Sequence, residues 1–198
     1  MRRRYALILG LLVLFCLAAF AVLFGEEVFQ NYTAKTQRNI ELKAHHEFIQ
    51  SLRKNSSRLG AFSTDGCSGG LSRAWWTLSD RFPAFAKTHE KAPPWETCCV
   101  NHDRSYHSAG GATEAHESFA LRLSADQALR TCILGTGRRR SADLSATFGL
   151  SEDQIRSAYE AIASAMFDAV RIGRLPCIGL PWRWGYGYPP CAVTIVPN

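Results

Sequence analysis

The nine residues Cys98-Cys99-Val100-Asn101-His102-Asp103-Arg104-Ser105-Tyr106 constrain this chain more than any other stretch. Read as a helix, they place Cys98, His102 and Tyr106 on one face, since the three recur every four residues. Cys99 and Asp103 form the row beside them. An imidazole and a carboxylate then project side by side from a rod that disulfides can tie down. Such a pair suits a general base working next to a bound cation.

The cysteines also bound the compartment. Cys16 lies inside an apolar block, and Cys67, Cys98, Cys99, Cys132, Cys177 and Cys191 lie outside it. An even set in an exported segment reads as three disulfides in an oxidising environment, with the pairing left open by the sequence. A zinc site on Cys98, Cys99 and His102 is the rival reading. Adjacent cysteines suit it poorly, because zinc ligands are usually spaced by two to four residues. The apolar block itself runs from Tyr5 to Phe24 behind Arg2-Arg3-Arg4. About twenty uncharged residues are enough to span a bilayer as a helix. The block ends in Val22-Leu23-Phe24-Gly25-Glu26-Glu27, a poor cleavage site, so an uncleaved signal-anchor is expected over a removed signal peptide. The arginines then hold the N-terminus in the cytoplasm and the rest of the chain outside it, periplasmic or extracellular.

The remainder divides into a polar stalk and one domain. Residues 26–59 carry charge with scattered Val28, Ile40, Phe48, Ile49 and Leu52 and read as a helical stalk. The domain is expected over 60–198. It opens on the turn-rich Asp65-Gly66-Cys67-Ser68-Gly69-Gly70. Ser72 is expected to cap a short helix with Trp75, Trp76, Leu78 and Phe82, and Pro93-Pro94 leads into the Cys-His-Asp helix, which Gly110-Gly111 ends. A second helix is expected over about 113–134, with Ala115, Phe119, Arg122, Asp126, Leu129 and Ile133 at helical spacing. Gly135, Gly137 and Arg138-Arg139-Arg140 read as an exposed break after it. Ser151-Glu152-Asp153-Gln154 is a capping-box pattern that opens a third helix, which Gly173 stops. The tail carries Trp182, Trp184, Tyr186 and Tyr188 between Cys177 and Cys191. No stretch reads as a sheet. The fold class is mainly α: an antiparallel helix pair, an extra C-terminal helix and an N-terminal transmembrane helix.

The chemistry can be argued from three side chains. Asp126 is an acid on an apolar stripe, and a buried carboxylate needs a partner. If the two long helices pack antiparallel, Asp126 accepts a hydrogen bond from one nitrogen of His102, and the other nitrogen can take a proton from water. Asp103 can bind a hard cation. Calcium takes six to eight oxygen ligands, backbone carbonyls among them, and the glycine-rich loop can supply such carbonyls. A Cys67–Cys99 bond would hold that loop beside Asp103.

At this point the residues resemble a known family. The Cys-Cys-x-x-His-Asp-x-x-Tyr helix is similar to the active-site helix of the secreted phospholipase A2 superfamily. The Asp-Gly-Cys-Ser-Gly-Gly loop stands where that family has its calcium loop, and Ala125-Asp126-Gln127-Ala128-Leu129-Arg130-Thr131-Cys132 resembles its second helix. The likeness covers roughly residues 64–134. It implies Cys67–Cys99, Cys98–Cys132 and Cys177–Cys191 disulfides. It implies calcium-dependent hydrolysis of a phospholipid acyl ester, with His102 activating water, Asp126 orienting His102, and Tyr106 hydrogen-bonding the aspartate. It implies Ca2+ on Asp103 and the carbonyls of Gly66, Ser68 and Gly70. The family's common members have a cysteine pair where Ser105 and Ala125 stand, and many carry a hairpin for which this chain has no room. The third helix and the aromatic tail have no counterpart.

The expected partner is a phospholipid membrane surface. A net charge of +6 favours anionic surfaces, and no nucleic-acid motif is present. Trp75, Trp76, Trp182 and Trp184 could rim the site at the lipid, the disulfide-closed tail being the better candidate. Two alternatives stand beside the enzyme: a catalytically silent phospholipase-like module that binds lipid or protein at the membrane, and an anchored disulfide domain with a purely structural role.

Overall fold

The computed structural model describes residues 35–67, 69–89 and 91–191. The expected transmembrane segment, Tyr5 to Phe24, lies outside them. Among the described residues no helix is long and apolar enough to cross a membrane. The described residues divide into two units, with the boundary between 41 and 42. In the first, residues 35–41 are helical.

The second unit is all-helical among its described residues. It comprises α1 (residues 42–55), α2 (Gly70–Arg81), α3 (Pro83–His89), α4 (Glu96–Ser108), a 3-10 turn at Ala109–Gly111, α5 (Ala115–Phe148) and α6 (Glu152–Gly173). The stalk expected over 26–59 therefore does not stand apart from the domain along its whole length. From residue 42 it belongs to the compact unit, because Ala44, Phe48 and Leu52 fall on one helical face with Ile49 beside them. That face packs into a core with Tyr106, Ala125 and Trp184. Burying Phe48 alone is worth about 2 kcal/mol.

The helix pair α4 and α5 is antiparallel. Cys98 bonds Cys132, His102 meets Asp126, and Tyr106 meets Arg122, so the partner number falls as the α4 number rises. Two further disulfides, Cys67–Cys99 and Cys177–Cys191, complete the expected set of three. They close loops of 32 and 14 residues in sequence separation, each worth roughly 3 kcal/mol or somewhat more in chain entropy. The α4 helix ends on a left-handed Ala109 followed by Gly110 and Gly111 at positive φ, as the glycine pair predicts.

The break expected at Gly135–Arg140 is absent. The α5 helix runs uninterrupted for 34 residues and stops at Gly149, whose φ is 68°. The physical reason is packing. A Cβ on Gly137 would lie 2.5 Å from Cβ and Cγ of Tyr159, so the glycine lets α6 approach α5 closely. The α6 helix opens with the predicted capping box: Gln154 N–H donates to Ser151 Oγ at 3.2 Å, and Ser151 N–H donates to Gln154 Oε1 at 2.8 Å.

Two smaller expectations are also corrected. Ser72 is not the cap of α2, which starts at Gly70. Its buried hydroxyl instead accepts the indole N–H of Trp95 at 3.0 Å. The aromatic tail turns inward at its centre. Trp184 is fully buried and donates its indole N–H to Ser118 Oγ at 2.8 Å, so it does not rim a lipid surface. The tail backbone is stitched to the end of α4, with Gly185 N–H donating to Tyr106 O at 2.7 Å and Gly187 N–H to His107 O at 3.0 Å.

Two apolar clusters result. One gathers Trp95, Cys98, Leu129, Ile133, Ile155 and Tyr159; the other gathers Phe48, Ile49, Tyr106, Ala125 and Trp184. The α4–α5 pair contributes to both, and His102 and Asp126 lie along it between the two contributions.

Candidate functional site

One turn past Cys98 on α4, the imidazole of His102 reaches across to α5. Its Nε2 lies 2.8 Å from Asp126 Oδ1, with both side chains at most 2% exposed. Tyr106, one further turn along, donates its hydroxyl to the same oxygen at 2.7 Å. The other oxygen, Oδ2, accepts from Arg171 Nη1 at 3.1 Å. Three donors thus converge on one buried carboxylate, which supplies the pairing that such a group requires. With Nε2–H given to Asp126, Nδ1 is left as the acceptor nitrogen of His102.

Behind the dyad stands a buried arginine. Arg122 Nε donates to Tyr106 Oη at 3.1 Å, and its Nη2 donates to the carbonyls of Val170 at 2.8 Å and Arg171 at 3.0 Å. It therefore ties the last turn of α6 to the Tyr106–Asp126 pair while satisfying carbonyls that a helix end leaves open. Burial pushes the Tyr106 hydroxyl well above its ordinary range, and the Asp126 charge adds to this, so Tyr106 stays a donor.

His102 and Asp103 line a small cleft of about 40 Å³ with Gly66, Cys67 and Gly69 on one side and Met166 and Arg174 on another. That is room for a few waters at most. The Cys67–Cys99 disulfide brings the loop to the helix, with a Cα–Cα distance of 5.3 Å. Thr64 strengthens the join: its hydroxyl donates to Asp103 Oδ2 at 2.7 Å and accepts from Gly66 N–H at 2.9 Å. Gly66 sits at φ 62°, and a side chain there would collide with the carboxylate of Glu96. Burial raises the Asp103 carboxyl above its ordinary 3.8; Thr64, Arg174 and His102 oppose the rise, and nearby Asp65 adds to it. Glu96 is raised likewise, by burial first and then by repulsion from Asp103 and Asp65. Arg174 faces this acidic corner, its Nη1 3.5 Å from Asp103 Oδ1.

The structure therefore brings His102, Asp126 and Tyr106 into one network and sets Asp103 and Gly66 on the adjoining cleft. Ser68 lies outside the described residues. Gly70 is the first residue of α2, so its carbonyl is committed to the first helical turn instead of remaining in the loop. Among the described residues no three His, Cys, Asp or Glu side chains gather as a metal site. Sequence reasoning missed Thr64, Arg171 and Arg174, and gave Arg122 only a place on the α5 stripe. Arg122 carried a signal, since a cation one turn before Asp126 on an apolar stripe must serve a buried acceptor. Arg171 and Arg174 carried none, being 45 and 71 residues from the acids they meet.

Comparison with protein-family models, with curated proteins and with solved structures returned no match.

Proposed function

We propose that the chain is a calcium-dependent esterase of the phospholipase A2 kind, cleaving an acyl ester of a phospholipid. The observation that carries this reading is the 2.8 Å contact of His102 with buried Asp126, made by a histidine that also lines a cleft beside Asp103 and the glycine loop. In the proposed reaction His102 Nδ1 takes a proton from a water as that water attacks the ester carbonyl. Asp126 holds the ring in this tautomer and balances the charge it gains; Tyr106 and Arg171 hold Asp126. His102 then passes the proton to the departing alkoxide, leaving a fatty acid and a lysophospholipid.

Of the four residues expected to hold calcium, Asp103 and Gly66 line the cleft and are the two that support it. Asp103 offers a carboxylate oxygen to the cleft, Gly66 offers loop backbone, and the neighbouring Asp65 and Glu96 make the corner acidic enough to favour a hard cation. When bound, the ion would supply Lewis-acid polarisation of the ester carbonyl. Three disulfides accord with a domain outside the cytoplasm, and the Tyr5–Phe24 block is proposed as its anchor. The partner surface is the phospholipid bilayer, with the charge of +6 favouring anionic lipid.

The test is fatty-acid release from anionic phospholipid vesicles by the disulfide-intact protein, with and without calcium. Release is expected only with calcium, and His102→Gln should abolish it while leaving the fold and calcium binding intact. Vesicle binding with no release by the unaltered protein would instead establish the silent lipid-binding module.

A further inference from the structure

Arg174 is the first residue beyond α6, with a backbone (φ −128°, ψ 40°) that has left the helix. Its carbonyl is pinned by the indole-bearing tail, accepting from Trp184 N–H at 3.1 Å. Its side chain is 23% exposed, so it has a path to solvent that Asp103, at 2%, lacks. The two Asp103 oxygens are held unequally. Oδ2 takes a firm bond from Thr64 at 2.7 Å, whereas Oδ1 meets Arg174 at 3.5 Å. A well-formed bond between a guanidinium and a carboxylate is about 2.7–2.9 Å. Thr64 therefore fixes the carboxylate through Oδ2 while the guanidinium rests loosely against Oδ1. Asp65 and Glu96 lie close enough to Asp103 for their charges to repel, which adds to the need for a cation at Asp103.

We propose that Arg174 is a built-in counter-ion for Asp103 that a calcium ion must displace, and that it thereby sets the calcium concentration at which the cleft loads. This rests on the calcium reading above and adds a competitor to it. In the absence of the metal the arginine keeps a buried acid paired. When the metal binds, the guanidinium swings to solvent about its fixed backbone. A divalent ion on Asp103 would repel a guanidinium held beside the same carboxylate, and the contact at 3.5 Å is weak enough to yield to it.

The experiment is calorimetric titration of the full chain, in neutral detergent, with calcium alone. Arg174→Gln removes the charge and keeps most of the length. It is expected to bind calcium roughly two- to fivefold tighter than the unaltered protein, as removal of a partly exposed competing ion pair allows. Arg174→Lys should return the affinity towards that of the unaltered protein. A second measurement needs no variant: calcium should speed modification of Arg174 by an arginine-selective dicarbonyl, read by mass spectrometry of the peptide that carries it. Equal calcium affinity in Arg174→Gln and the unaltered protein, or calcium-independent modification of Arg174, overturns the inference and leaves the esterase reading standing. Absence of calcium binding by both proteins at millimolar concentrations overturns the calcium reading and this inference with it.

Discussion

Gly137 and Gly135 lie two residues apart in α5, and alanine at the two positions should act in opposite directions. In an exposed helix interior, Gly→Ala gains roughly 0.8–1.0 kcal/mol from reduced backbone entropy. At Gly135 a new methyl would meet Arg139 Nη1 at 3.3 Å, the far end of a flexible side chain that can move aside. Gly135→Ala should therefore keep most of the gain and stabilise by about 0.5–1 kcal/mol. At Gly137 the methyl would fall 2.5 Å from Cβ and Cγ of Tyr159, atoms fixed to the α6 backbone. Relieving that contact requires α6 to shift, and overpacking of this kind costs about 1–3 kcal/mol. Because Tyr159 packs on Trp95 and its hydroxyl accepts from Arg140, the upper part of that range applies. Subtracting the propensity gain leaves Gly137→Ala destabilised by about 1–2 kcal/mol. Reversible denaturant unfolding of both variants measures the difference, and for a domain of this size each kcal/mol moves Tm by about 2–4 °C. If Gly137→Ala is as stable as Gly135→Ala, then Gly137 is a helix-weakening residue after all. The close approach of α5 and α6 described above would then be wrong.

Two further outcomes can be checked. Arg122→Met should destabilise by about 3 kcal/mol or more, since it strands the carbonyls of Val170 and Arg171 and removes a donor to Tyr106; a loss below about 1 kcal/mol in denaturant unfolding would contradict the buried network. Asp103 has a raised carboxyl, so between the ordinary 3.8 and its higher native value the folded state binds a proton that the unfolded state has lost, and its contribution to stability falls as pH rises through that window. Calcium requires the ionised form. The rise in Tm caused by calcium should therefore fade on acidification before the ordinary carboxylate range is reached; a calcium effect that persists unchanged to 3.8 would refute this.

The helix pair was legible because two independent signals agree on it. The four-residue spacing of Cys98, His102 and Tyr106 sets a face, and Asp126 on an otherwise apolar stripe asks for a partner. The start of α6 was legible for a local reason, since a capping box involves residues three apart. What was not legible depended on distant contacts. Gly137 looks like punctuation unless Tyr159 is known to press on it. Ser72 looks like a cap unless Trp95 is known to need an acceptor. The charges around Phe48 and Ile49 hid a face that becomes apolar only when Trp184 is brought against it. Arg171 and Arg174 come from the end of a helix that the family resemblance does not cover, and no spacing rule connects residue 174 to residue 103.

Arg171 and Arg174 leave the same helical terminus and reach two different acids, Asp126 and Asp103. The motif-bearing segment is therefore not electrostatically self-sufficient. A graft of residues 64–134 onto another scaffold would carry its histidine, its acids and two of the disulfides, and it would leave both carboxylates short of a cation. Engineering this centre elsewhere means transplanting the last turn of α6 as well.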